Sequence, residues 1–179
     1  MTIPIAVNLV DYRSEWPELA AHHLDRLKIL GATLAEFHHV GSTSVPGMVA
    51  KPVIDLMPLV VDLAELDGKR SVVEGLGYRW HGEYGVPGRR FCTLEDGDGQ
   101  RIVQLHFYET GSPNARRHLA FRDYLRSFPE AAADYVVEKR RAAALFPDNS
   151  TAYANEKGAW IRATEAKALD WSVGEAGGV

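Results

Sequence analysis

Apolar residues recur at helical spacing near the start of this 179-residue chain. Between Trp16 and Leu30, leucines return at roughly the interval of one helix face. Pro17 is tolerated in a first helical turn, and Gly31 follows the last periodic leucine as a C-cap residue does. The pattern predicts an amphipathic helix from Trp16 to Leu30.

Two further segments predict a strand, a loop and a second strand. Phe37 to Val40 is short and partly apolar, and residues 41–47 (GSTSVPG) are turn formers and small hydroxyl residues. Residues 52–61 (PVIDLMPLVV) are nearly continuously apolar, which predicts a strand buried on both faces. Pro58 predicts that this strand ends there or lies at the edge of the sheet.

The middle of the chain predicts one helix and three more strands. Asp62 is placed to cap a helix that runs to Leu76, before Gly77. The sequence DGDG at 96–99 is typical of a hairpin turn. The strands are predicted at 78–80, 90–94 and 101–108.

From Ser112 onward the chain is rich in Ala and Arg and has helical character to about Asp170. Breaks near Pro129 and around 147–149 predict three consecutive helices. The small residues at 173–179 predict a disordered tail after a single domain over 1–172. Strands flanked in sequence by helices indicate an α/β or α+β sandwich.

Composition and charge limit the classes of protein to which this chain is expected to belong. With 46% hydrophobic and 25% charged residues, the chain has the make-up of one globular domain. A net charge of −4 gives no basic field for non-specific binding to nucleic acid. Cys92 has no second cysteine with which to form a disulfide, and neither a signal peptide nor a membrane span is recognisable. We expect a cytoplasmic protein that binds neither nucleic acid nor membrane.

The turn at 41–44 and the acid on the following strand form a candidate ligand site. Gly41 lets the backbone pass close to a phosphate, Lys51 adds a positive charge, and Asp55 could share a divalent cation with that phosphate. An alternative stays open, in which the glycines shape an ordinary loop and Asp55 forms an internal ion pair. Further phosphate donors would be the hydroxyl groups of Ser42, Thr43 and Ser44.

Two adjacent histidines precede the turn and a third lies on a later strand. His38 and His39 point to opposite faces of a strand, and we choose His39, next to the turn, as the site residue. His106 lies on an otherwise apolar strand, with Gln104 on the same face. His106 is either a site residue acting with Asp55 or a hydrogen-bonded core histidine.

Two adjacent arginines follow a rigid turn. Arg89 and Arg90 come directly after Gly85-Val86-Pro87-Gly88, and guanidinium groups are well shaped for bidentate contacts with phosphate. Arg90 and His106 are expected to be neighbours if their strands pair. The alternative is a solvated turn with surface charges.

The stretch at 38–56 (HHVGSTSVPGMVAKPVIDL) resembles the signature of the GrpB family. The resemblance implies a minimal nucleotidyltransferase fold, with a mixed β-sheet flanked by helices and a C-terminal helical region. In that fold a Gly-Ser turn precedes a strand with an acid-x-acid pair, and a later strand brings a third acid. Further segments of the family pattern follow in order at 16–17, 85–91, 104–107 and 118–126, and at Tyr153 with Lys157.

This sequence departs from the catalytic pattern that the fold implies. Met57 and His106 stand where the second and third acids are expected, so one acid, Asp55, remains. Two-metal transfer needs several oxygen ligands. Asp55 with His106, and with His39 as a further ligand, would instead suit a single ion such as Mn²⁺ or Zn²⁺, or a hydrogen-bond network around a phosphate.

Two functions follow from the resemblance. The first is binding of a small phosphorylated ligand or nucleotide, with nucleotidyl or phosphoryl transfer and a divalent metal such as Mg²⁺, Mn²⁺ or Zn²⁺. Asp55 and His106 would then hold the metal, and Arg90 would offset developing charge. The second is a non-catalytic accessory role, because a similar domain occurs fused to dephospho-CoA kinase and has been proposed to assist folding. The missing acids favour the second function.

Overall fold

The computed structural model describes residues 6–176, which form two compact units. The described part of the first unit consists of residues 6–12, 45–52 and 117–176. The second unit consists of Arg13–Ser44 and Val53–Arg116. The signature stretch at 38–56 is therefore divided, and its residues 45–52 belong to the first unit.

A five-stranded mixed sheet forms the centre of the second unit, in the order β1-β2-β5-β4-β3. β2 and β5 are parallel, and the other neighbouring strands are antiparallel. This confirms the predicted mixed sheet flanked by helices. The strands are β1 (Leu34–Val40), β2 (Ile54–Val60), β3 (Arg79–Trp80), β4 (Arg90–Glu95) and β5 (Arg101–Glu109).

The predicted helices of the second unit are present but shorter than expected. α1 covers Trp16–Leu27 and is followed by a 3₁₀ segment, Lys28–Thr33, which Gly31 interrupts with a non-helical φ of 60°. The helix predicted after Asp62 is split into α2 (Leu63–Gly68) and α3 (Arg70–Gly75). Asp62 caps α2, as predicted, because its carboxylate accepts a hydrogen bond from the backbone N–H of Glu65 at 2.9 Å.

Side chains on the two faces of the sheet differ in burial around Asp55. Leu56, Cys92, Leu105 and Phe107 share a face by strand pairing, and none of them is exposed to solvent. We call this the buried face. Asp55, Gln104, His106 and Phe91 share the opposite face, which we call the Asp55 face. The first set contributes apolar burial to the sheet, whereas Asp55, Gln104 and His106 of the second set remain partly accessible.

The position of Pro58 corrects one prediction. β2 lies inside the sheet between β1 and β5, and Pro58 pairs with Phe37 in the middle of the strand, so the prediction of a strand end or sheet edge is wrong. The pairing of β2 with β5 is interrupted at Met57 and Pro58. Because proline has no N–H group, a central strand tolerates it where one ladder is interrupted.

The first unit contains the long carboxy-terminal helices. They are α4 (Pro113–Ser127, whose first turn belongs to the second unit), α5 (Pro129–Leu145), α6 (Ser150–Glu156) and α7 (Gly158–Ala176). Three helices were predicted, and a break between Glu156 and Gly158 makes them four. α7 continues to Ala176, into the segment predicted as a tail, and residues 177–179 lie outside the described residues. Within 6–176, no helix has the length and apolar content needed to cross a membrane.

The core of the first unit joins the loop at 45–52 to the helices. Val45 and Met48 from this loop are buried with Leu125 and Tyr135. The ring of Tyr135 stacks on that of Trp160 with centroids 4.7 Å apart. Aromatic residues from two helices therefore pack against each other inside this unit.

Candidate functional site

Asp55 and His106 meet on the Asp55 face of the sheet. Asp55 pairs with Gln104 in the parallel β2–β5 register, so His106, two residues further on, shares its face. Nε2 of His106 lies 3.3 Å from Oδ1 of Asp55. The Asp55 side chain is 30% exposed to solvent. The structure thus brings together the two residues that the sequence analysis combined.

Gly41 packs directly on the Asp55 carboxylate. Its φ is 68°, in the left-handed region that favours glycine. A Cβ atom at this position would lie 2.6 Å from Oδ2 of Asp55 and 3.0 Å from its Cβ. No larger residue fits here unless Asp55 moves. The Gly-Ser turn therefore places backbone against the acid, as the sequence predicted.

The hydroxyl groups of the turn have different surroundings. Oγ of Ser44 donates to the carbonyl of Gly41 at 2.6 Å, and Oγ1 of Thr43 lies 2.8 Å from Nε2 of His39. Thr43 and Ser44 are buried, whereas Ser42 is half-buried. Two of the three predicted phosphate donors thus stabilise the turn itself, and Ser42 is the one closest to solvent.

The strand register corrects the placement of His39. His39 pairs with Leu56 and lies on the same side of the sheet as the buried face, whereas Val40 pairs with Asp55. His38 pairs with Met57 and so shares the Asp55 face. Adjacency to the Gly-Ser turn suggested the opposite assignment, because the sequence does not show which β1 residue pairs with Asp55. His39 contacts the turn through Oγ1 of Thr43.

Arg90 is not a neighbour of His106, although β4 and β5 pair as expected. Arg90 pairs with Phe107, which places its side chain on the opposite side of the sheet from His106. There its guanidinium group binds both carboxylate oxygens of Asp67 at 2.6 Å. These hydrogen bonds lower the pKa of Asp67 and raise the pKa of Arg90. Arg90 is thus an ion-pair residue between the sheet and α2.

An aromatic platform extends from His106 along the Asp55 face. Phe91 pairs with His106, with ring centroids 5.2 Å apart, and Tyr84 stacks on Phe91 at 5.2 Å. Arg89 lies over the Phe91 ring at 4.8 Å and donates to the carbonyl of Tyr84 at 2.8 Å. Tyr84 is 63% exposed and has a φ of 47°, an unusual value for a residue other than glycine.

Arg89 was predicted from the sequence, whereas the platform residues Tyr84 and Phe91 were not. The sequence contains one indication of the platform, because an aromatic residue lies on each side of the segment at 85–90. That signal is weak, because aromatic side chains next to a turn usually belong to the core.

Lys51, predicted to contact the same phosphate, lies in the first unit. Its Nζ donates to Oγ of Ser150 at 2.9 Å and is 5.7 Å from the centre of the Tyr153 ring. The structure therefore places the predicted lysine and the predicted acid in different compact units.

The donor set does not fit a two-metal centre. Over residues 6–176, no group of three or more His, Cys, Asp or Glu side chains could hold a metal ion. Met57 is fully buried and has no oxygen to offer where the second acid is expected. Asp55 and His106 would leave most coordination positions to water and ligand oxygens, whereas two-metal transfer needs several carboxylate ligands.

Curated relatives share sequence along nearly the whole chain. The chain is 37% identical over 169 residues to the protein YqkA of Bacillus subtilis, covering 94% of this chain and 49% of YqkA. It is 30% identical over 191 residues to a dephospho-CoA kinase of Mycolicibacterium paratuberculosis, covering 93% of this chain and 47% of the kinase. The chain thus spans about half the length of these two relatives.

Solved structures agree with the fold assignment. The crystal structure of the conserved protein GrpB from Enterococcus faecalis matches with a TM-score of 0.86 at 34% identity, covering 92% of this chain and 99% of that one. A structure of the Cid1 poly(U) polymerase bound to MgATP matches with a TM-score of 0.53 at 14% identity, covering 75% and 44%. A likeness at that identity shows the fold alone, and this fold is that of nucleotidyltransferases.

A family model described as GrpB protein matches residues 6–167, which include the Gly-Ser turn, Asp55 and His106. The chain belongs to the GrpB family.

Proposed function

We propose that this protein binds a phosphorylated ligand, specifically a nucleotide, at the Asp55 face and acts as a nucleotidyl or phosphoryl transferase. One observation carries the proposal. The backbone of Gly41 packs on a carboxylate that is within hydrogen-bond distance of His106 and still 30% exposed. An acid with only a structural role would not require glycine at position 41, and its carboxylate would not have to remain exposed. The observed arrangement therefore favours a ligand-binding role for Asp55.

The charges around Asp55 determine how a phosphate would bind. A phosphate beside the Asp55 carboxylate would be repelled unless positive charge lies near both groups. The ring N–H group of His106, whose Nε2 lies 3.3 Å from Asp55, would supply one partial positive charge beside a ligand oxygen. Arg89, beside the Phe91 ring that contacts His106, would supply a second. Ser42 would donate its hydroxyl at the turn.

The aromatic platform supports a nucleotide over a simple sugar phosphate. Tyr84 is 63% exposed and is stacked on Phe91, which is in turn next to His106. Stacking of a base on an exposed aromatic ring contributes about 1–3 kcal/mol and tolerates different bases. A base on Tyr84 would leave the phosphate directed along the Asp55 face.

Thermal unfolding with a ligand panel tests the proposal. The panel contains nucleotides and sugar phosphates, each with and without Mg²⁺, Mn²⁺ and Zn²⁺. A ligand that binds only the folded state adds about 2.7 kcal/mol at about 100 times its dissociation constant, which is a rise of several degrees. We expect that rise with a nucleotide in the wild type and a smaller one in Tyr84→Ala. No shift across the panel would contradict the proposal.

A second candidate function is a non-catalytic role as an accessory domain for a dephospho-CoA kinase. The similarity to such a kinase, of which this chain covers 47%, favours it, as does Met57 in place of an acid. The test adds this chain during refolding of the part of the Mycolicibacterium paratuberculosis kinase that it does not match, and measures the yield of active kinase. A higher yield of active kinase would support the accessory role, and an unchanged yield would contradict it.

A further inference from the structure

Arg101 is a half-buried arginine at the start of β5, and its side chain lies on the Asp55 face. It pairs with Glu95 of β4, next to an irregularity in the β4–β5 ladder. Cross-strand partners share a face, and Glu95 shares the face of Thr93, which pairs with Gln104. An irregularity of this kind re-aims a side chain, and here it places a guanidinium group on the same face as Asp55.

The guanidinium group of Arg101 has no partner in the described part of the second unit or elsewhere in residues 6–176. Its Nε atom is buried and makes no hydrogen bond there. Glu95, the cross-strand neighbour, lies instead near Arg79, with 3.8 Å between Oε1 and Nη1. Most buried donors in folded proteins are paired, because an unpaired N–H group costs stability. A ligand that brings an acceptor accounts for this donor most simply.

A phosphate group fits the donors of this position. The Nε–H group of an arginine and one Nη–H group bind two oxygens of a phosphate side by side. Because no hydrogen bond within residues 6–176 holds the guanidinium group of Arg101, turning it towards a ligand breaks no such bond. Gln104, which is half-buried and pairs with Asp55, offers amide donors on the same strand.

The rows of side chains across the sheet show where Arg101 lies relative to the aromatic platform. The row of Asp55 lies between the row of His106, which leads to the platform, and the row of Arg101. Neighbouring rows on one face are about 7 Å apart along the strands. A ligand whose base stacks on Tyr84 therefore has to extend past the row of Asp55 to reach Arg101, which favours a phosphate chain over a single phosphate.

The positive charge of Arg101 also acts at the platform. The ring of His81 lies 5.4 Å from that of Tyr84, between centroids. Burial is the main cause of the lowered pKa of His81, and the charge of Arg101 is the next. Each further phosphate would bring more negative charge near Asp55, so a phosphate chain requires an additional cation on this face. Arg101 supplies it.

We propose that Arg101, together with Gln104, binds the terminal phosphates of a nucleoside triphosphate. The ligand class of the Asp55 face is then a nucleoside triphosphate and not a monophosphate. This inference rests on the proposed function, because it takes the base to stack on Tyr84 and the first phosphate to lie beside Asp55.

Calorimetric titration in the presence of Mg²⁺ tests the inference. The titrants are ATP, GTP, CTP and UTP and the four corresponding monophosphates. The variants are Arg101→Met, Arg101→Lys and the control Arg79→Met. Arg79 is an exposed arginine of β3 that pairs with Thr93 and so lies on the same face, and its loss changes the net charge equally.

We expect the wild type to bind at least one triphosphate about tenfold or more tightly than its monophosphate. Arg101→Met should abolish this preference, and Arg101→Lys, which keeps the charge but loses the paired donors, should retain part of it. Arg79→Met should leave the preference within about twofold.

Unfolding of the unliganded protein separates ligand binding from a structural role. Because Nε of Arg101 makes no hydrogen bond within residues 6–176, Arg101→Met should raise the Tm or leave it within about 2 °C. Methionine retains most of the apolar length of the side chain. A clearly lower Tm would show that Arg101 supports the fold and would contradict the inference.

The titrations distinguish failure of this inference from failure of the proposed function. A triphosphate preference that persists in Arg101→Met, or equal losses in Arg101→Met and Arg79→Met, would overturn the inference. The proposed function would still stand in that case if Tyr84→Ala weakened nucleotide binding. An absence of nucleotide binding to the wild type would contradict both.

Discussion

A Cβ atom on Gly41 would lie 2.6 Å from Oδ2 of Asp55, closer than non-bonded atoms approach. The glycine and the acid come from different segments, and Val40, next to Gly41, pairs with Asp55 across β1 and β2. The backbone of Gly41 is therefore in direct contact with the Asp55 carboxylate. A substitution at either position should change the conformation of the other residue.

Replacement of Gly41 by alanine should lower the free energy of unfolding more than replacement of Gly47. Both glycines have positive φ, 68° and 77°, so each substitution costs about 1–2 kcal/mol in backbone strain. A Cβ on Gly47 would have no neighbour within 4 Å, whereas one on Gly41 meets Asp55. Urea unfolding at pH 7 measures the difference. Equal losses would show that the Asp55 side chain moves aside without cost.

Asp55→Asn should abolish ligand-dependent stabilisation while leaving the fold intact. Asparagine has nearly the same shape, and the contact with His106 is long, at 3.3 Å, so the free energy of unfolding should change by no more than about 1 kcal/mol. Thermal unfolding with the ligand that stabilises the wild type measures both effects. Asp67→Asn is the matched control, because Asp67 binds Arg90 instead. Unchanged ligand affinity in Asp55→Asn would remove Asp55 from the site.

Arg89→Gln should weaken ligand binding, whereas Arg90→Gln should lower the stability of the fold. Arg90 binds Asp67 through two hydrogen bonds, so its loss should lower stability at pH 7 by about 1 kcal/mol and leave ligand binding unchanged. Arg89 lies over Phe91 beside His106, so its loss should weaken ligand binding with little change in stability. Titration and urea unfolding of both variants measure these effects. Weaker binding in Arg90→Gln alone would contradict this division.

The stability difference caused by Arg90→Gln should disappear in acid. The pKa of Asp67 is lowered in the folded state, chiefly by its hydrogen bonds to Arg90. A lowered carboxyl pKa stabilises the fold above the unfolded pKa of about 4, and this stabilisation is lost as the pH falls through the folded value. Urea unfolding of wild type and variant from pH 7 down to the acid limit of folding measures it. A difference that stays constant with pH would contradict the ion pair.

His23 should make the protein less stable as the pH falls from 6.5 to 4. Its Nδ1 lies 2.9 Å from the hydroxyl of Tyr78, and burial lowers its pKa to about 4. In this range the unfolded chain binds a proton that the folded chain does not, so stability present above pH 6.5 is progressively lost, by roughly 3 kcal/mol. Urea unfolding of wild type and His23→Gln should show a shallower pH dependence in the variant. Parallel curves would contradict the assignment.

Local patterns were sufficient to predict most elements of this chain. The periodicity of leucines, the Asp62 cap, the turn at 96–99 and the apolar strand at β2 depend on residues close in sequence. The family resemblance added the fold, and strand alternation placed Gln104 and His106 on one face. Element ends were less accurate, because Gly31 and the residues around Lys69 and Lys157 change backbone conformation within continuous helical patterns.

The face on which a strand residue lies depends on its partners in the sheet. A shift of one residue exchanges the two faces, so His39 and Arg90 lie on the opposite face of the sheet from Asp55. Pro58 was predicted at an edge because the sequence does not show where a hydrogen-bond ladder is interrupted. The approach of Lys157, at the end of α6, to the Tyr135 ring of α5 likewise depends on packing between separate helices. Such relations join residues far apart in sequence, and their energies depend on distances that exist only in the folded chain.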